Sequence, residues 1–174
     1  DILDNLIVWY NINPQLVPLL FVCAVGHLKP DDLRDLMVRI LYNYKNPKET
    51  IEIIILGLKQ ALSFGQLDYP YNIFDTLDSI TSDTMVFSNY KAHWKYIASK
   101  YYSKFQNDHN KALAFCNEAL KFCEPDSNMY HIISLQLSIL QTNYTNDTVT
   151  LDTFENLYKY FRDRNEIEYA TECI

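Results

Sequence analysis

An all-α fold, built as a stack of antiparallel helix pairs, is what this sequence predicts, and three observations predict it. Only three glycines and six prolines occur in 174 residues, whereas all-β folds need left-handed backbone at many turns and phosphate-binding loops need backbone without side chains. Apolar residues recur at helical spacing along the whole chain. Short polar joints separate the periodic stretches, so sequential neighbours should pack antiparallel. Helix starts near 47, 87, 127 and 166 give a spacing of about 40 residues, within the range of paired-helix repeats.

Each element follows from local signals. Residues 13–28 open on a proline-containing first turn and end near Gly26, and their apolar window 16–26 is too short to cross a bilayer, which needs about 20 residues. In 29–45, Asp31 and Asp32 suit the positive end of a helix. Leu33, Leu36, Met37, Ile40 and Leu41 then fall at i, i+3, i+4, i+7 and i+8. Residues 46–64 place Pro47 near the first helical position. Their run from Ile51 to Leu58 has the composition of a strand, but its length and polar flanks favour helix. Gly65 ends it. A shorter helix is expected over 69–81 and a long one over 88–105. Pro125 closes the next helix, 110–125. Residues 127–143 and 151–165 read as two more, and 166–174 as the start of another.

The pair over 90–125 carries the most information. At 100° per residue, Tyr90, Trp94, Ile97, Ala98, Tyr101 and Phe105 share a face of about 100° of arc. Lys91 and Lys95 lie along one edge of it, and Lys100 and Lys104 along the other. In the second helix Ala112, Phe115, Cys116, Ala119 and Cys123 share a face, with small residues at 112 and 119 admitting close helix approach. This pair resembles the tetratricopeptide repeat. That family's first helix carries an aromatic, a large apolar residue, a small residue and a second aromatic, matched by Trp94, Ile97, Ala98 and Tyr101. Its second helix carries two alanines seven apart around an aromatic and then a proline, matched by Ala112, Phe115 or Cys116, Ala119 and Pro125. The joint is about two residues longer than the family's, and the period exceeds its usual 34. The resemblance implies an α-solenoid.

Composition narrows the function classes. A formal net charge of −7 and a pI of about 5.0 oppose general adhesion to nucleic acid or to an anionic membrane. The four cysteines are widely spread, unlike a small disulfide scaffold, and point to reduced thiols in an intracellular protein, cytoplasmic or nuclear. The chain starts at Asp1 without a methionine and ends inside a helical pattern. Residues 1–174 are therefore expected to be one helical-repeat domain from a longer protein.

No catalytic, cofactor-binding or metal-ligating set is expected. Cys116 and Cys123 sit two turns apart, roughly 10.5 Å along a helix, too far for a disulfide or a shared metal and consistent with core thiols. Cys23 and His27 at i, i+4 could supply two metal ligands, but no second pair completes the set. His93, His109 and His131 have no catalytic partner at a diagnostic spacing, and Glu166 with Glu168 reads as helix-end charge. Asn143-Tyr-Thr145 and Asn146-Asp-Thr148 match the glycosylation pattern, which arises readily by chance in an Asn/Thr-rich stretch. Lys91, Lys95, Lys100, Lys104 and Lys111 form the basic concentration. They could meet an acidic peptide or, with the interleaved aromatics, nucleobases.

The expected function is a protein–protein interaction scaffold or adaptor, a subunit of a larger assembly holding a partner's peptide or helix in a groove of stacked helices. Asn89, Lys91, His93 and Lys95, as exposed polar positions of the first helix, are the expected contacts. A peptide-sensing regulator and a subunit of an RNA-processing or other nucleic-acid-associated complex are the alternatives.

Overall fold

The computed structural model describes residues 47–63, 72–82, 88–144 and 151–174, together with Asn5, Val8 and Asp32. Apart from those three positions, they form helices joined by turns, with no strand among the described residues: α1 Pro47–Ser63, α2 Asn72–Thr81, α3 Ser88–Lys104, α4 His109–Leu120, α5 Asn128–Tyr144, α6 Leu151–Asp163 and α7 Ile167–Glu172. The helices expected over 13–28 and, apart from Asp32, over 29–45, the Cys23/His27 pair, Thr145 of the first glycosylation pattern and the whole of the second lie outside the described residues. The chain forms two compact units, Asp1–Tyr90 and Lys91–Ile174.

In the first unit the isoleucine run is helical, as its flanks predict. Ile51, Ile54, Ile55 and Leu58 are buried at i, i+3, i+4 and i+7 of α1, while Glu52 and Lys59 are exposed. Pro47 is the first residue of α1, where its missing N–H costs nothing because that donor has no intrahelical acceptor. Phe74 and Leu77 are buried one turn apart in α2. Thr81, also buried, satisfies its hydroxyl by donating to the Leu77 carbonyl at 2.6 Å. Within this unit the Tyr90 hydroxyl donates to Glu52 Oε1.

The second unit packs its helices in sequence, α4 along α5, α5 along α6 and α6 along α7. Contacts between α3 and α4 step in opposite directions along the two helices. Lys91 meets Phe122, Lys95 meets Glu118 and Lys111 meets Tyr102, so this pair is antiparallel. The α3–α4 interface is made by large rings. Phe115 stacks on Tyr102 with centroids 5.4 Å apart and meets Trp94 edge-on at 6.2 Å. On its other side α4 meets α5 closely, and the Cys116 thiol donates to the Ile133 carbonyl at 3.4 Å.

Three joints of this unit use the same device. Asn107, Asp126 and Asn165 have φ of 51°, 64° and 61°, the left-handed region that Asn and Asp tolerate because their short polar side chains bond locally. That is how a chain with three glycines turns so often. At Asn165 the bonds are those of a Schellman cap: Glu166 N–H to Phe161 C=O at 2.9 Å and Asn165 N–H to Arg162 C=O at 3.0 Å.

Capping side chains set the helix starts. The Asp108 carboxylate accepts from the Lys111 N–H at 3.1 Å at the head of α4, and the Ser127 hydroxyl accepts from the Tyr130 N–H at 3.2 Å at the head of α5. Asp108→Ala should cost about 1 kcal/mol, within a range of roughly 0.5–2 for lost caps. The exposed Asp108–Lys111 ion pair at 3.7 Å adds little. Urea unfolding of this variant beside Asp108→Asn, which keeps an acceptor, isolates the cap: Asn should recover most of the loss.

Candidate partner-binding site

The four expected contact residues project from one helix but meet different surroundings. Asn89 is exposed, as expected. Lys91 is half-buried and holds its Nζ 5.2 Å from the centre of the Phe122 ring. His93 is half-buried.

Lys95 departs from the expectation of an exposed position: it is 6% exposed. Its Nζ lies 4.4 Å from the Trp94 ring centre and 5.6 Å from that of Phe115, and it donates to Glu118 Oε2 at 2.6 Å. A buried ammonium needs compensation for lost hydration, and two ring faces with a carboxylate supply it. Lys95 is therefore part of the α3–α4 packing and not an open groove contact.

Lys100 and Lys111 follow the same pattern, whereas Lys104 is exposed. Lys100 lies 5.2 Å over Tyr96 and 3.9 Å from Glu172 of α7. Burial lowers its pKa, and the Glu172 charge opposes that shift. Lys111 lies 5.1 Å over Tyr102. Each of these four cations is thus seated over an aromatic ring of its own chain, in the mode of a cation–π contact. The rings that could have stacked on bases are also taken: Trp94, Tyr96, Tyr101 and Tyr102 are all buried.

Burial on α3 extends well past the expected stripe. Trp94, Ile97, Ala98 and Tyr101 are buried as read, Tyr90 and Phe105 only half so, and Ala92, Tyr96, Ser99 and Tyr102 join the core. Tyr96 reaches toward α7, and its phenol is held well above the usual range, first by burial and then by the nearby Tyr169 and Glu172. α7 thereby meets α3, the first helix of this unit, as well as α6.

The thiols separate. Cys116 is fully buried, and burial pushes its pKa up to about 12. Cys123 is not on the α4 face expected of it. α4 ends at Leu120, and Lys121, Phe122 and Cys123 each donate to the carbonyl three residues back, tightening the chain before Pro125 can act. Cys123 is half-buried there, and Cys116, Cys123 and Cys173 are free thiols. Their chemistry gives a direct expectation. At pH 8 iodoacetamide should leave Cys116 unmodified in the native protein while labelling Cys123 and Cys173, and urea should release all three. Native labelling of Cys116 at the rate of Cys123 would contradict this burial.

A ring stack at the α5–α6 contact was not anticipated. His131 lies parallel to Tyr160 with centroids 3.5 Å apart, and the Arg164 guanidinium sits 3.7 Å from the same ring. Two groups this close to one ring centre must occupy opposite faces. His131 Nδ1 donates to the Ser127 carbonyl at 2.9 Å, since a carbonyl can only accept. The histidine is a packing residue here. Glu166 stands at the N-cap position of α7 without a capping side-chain bond, and Glu168 is exposed.

Among the described residues no three His, Cys, Asp or Glu side chains gather as metal ligands, and no helix is long and apolar enough to cross a membrane. No protein-family model, curated protein or solved structure matches the chain.

Proposed function

We propose that the chain works as a helical interaction scaffold, a subunit of an intracellular assembly that holds a peptide or helix of a protein partner. The observation that supports it is the serial packing of α4, α5, α6 and α7, which braces long exposed helix faces at little reorganisation cost on binding. On α4 these faces carry Asn110, Lys111 and Asn117, and on α6 Asp152, Glu155, Lys159 and Arg162. Such mixed polar faces suit the rim of a protein contact. On α3, Asn89 and the half-buried Lys91 stay the candidate contacts, while Lys95 does not.

The test is cross-linking of the purified chain in lysate followed by mass spectrometry, and then affinity measurement against the partner found. Asn89→Arg or Lys91→Glu should weaken a protein partner roughly tenfold, about 1.4 kcal/mol, with the thermal melt unchanged. Retention of nucleic acid alone, fading steeply with salt, would replace this reading by the nucleic-acid one. Cross-links confined to the chain itself would refute it.

A further inference from the structure

No further inference is drawn: the strongest candidate, the His131–Tyr160–Arg164 ring stack joining α5 to α6, is a packing contact in which the imidazole and the guanidinium share one ring, and nothing in the structure shows a ligand for it or decides whether a second positive charge there would tighten or loosen the pair.

Discussion

Trp94→Ala should lower the unfolding free energy of the second unit by about 3–5 kcal/mol, the range for truncating a large buried aromatic. Trp94 heads the fully buried side chains by volume at 1% exposure. Its ring is enclosed by the edge of Phe115 and by the Lys95 ammonium. Removing it deletes the transfer energy of the indole, leaves a void that α3 and α4 can close only in part, and takes away a face that compensates a buried cation. Stability of single domains is about 5–15 kcal/mol in total, so the alanine variant stands near the edge of folding. Trp94→Phe keeps a ring for both neighbours and should lose distinctly less. Urea titration followed by far-ultraviolet circular dichroism measures both. A loss below about 1 kcal/mol for alanine, too small for a filled core site, would mean that this interface is not packed as described.

Alkaline pH acts on the same helices through groups that stay protonated when folded. Tyr90 is raised to about 12, first by burial and then by its bond to Glu52, and Cys116 is raised to about 12 by burial. In the unfolded chain a thiol ionises near 8.5 and a phenol near 10. Above those values the native state binds more protons than the unfolded one, so stability falls as pH rises. The contribution is whole below about 8.5 and is lost by stages up to about 12. Thermal melts at pH 8, 9.5 and 11 should therefore descend in order.

The helical class and most helix starts were legible because they depend on local chemistry. Pro47 at the head of α1, Ser88 at the start of α3 and the polar flanks of the run from Ile51 to Leu58 act within one or two turns. So did the core stripe of Trp94, Ile97, Ala98 and Tyr101. Lys95 was not legible. A lysine at the edge of an apolar stripe reads as solvated, and only the register of α3 on α4 brings Glu118 and Phe115 to it from twenty or more residues away. The burial of Tyr96, Ser99 and Tyr102 has the same origin, since periodicity assigns a helix one buried face and α3 has more than one. Cys123 was misplaced for a different reason. Pro125 reads as the terminator in the sequence, but the three-residue hydrogen bonds from Lys121 onward end α4 a turn earlier.

Lys95→Glu is the second substitution with a large expected effect, and it separates a structural lysine from a binding one. The new carboxylate would lie over the negative faces of Trp94 and Phe115 and beside Glu118, so attraction becomes repulsion at three contacts. Breaking a buried pair costs about 3–5 kcal/mol. Because the Glu118 side chain is 48% exposed, solvent shares its charge and the expected loss is at the lower end, about 3 kcal/mol. Lys95→Met keeps the stem against the rings and leaves Glu118 facing water. It should cost only the cation–π contact and a half-screened ion pair, about 1 kcal/mol. The half-buried Lys91 should tolerate reversal to Glu at well under that figure. The charge-swapped double variant Lys95→Glu/Glu118→Lys restores attraction between the two side chains but not to the rings, so it should recover part of the loss. Measured by urea unfolding, the order of cost is Lys95→Glu, then the swap, with Lys95→Met and Lys91→Glu smallest. If Lys95→Glu proved as stable as Lys91→Glu, the ammonium would not be held between the rings, and Lys95 would return to the surface as a candidate partner contact. If the order holds, lost binding on reversal of Lys95 reports unfolding, and Lys91 is the position at which charge can test a partner.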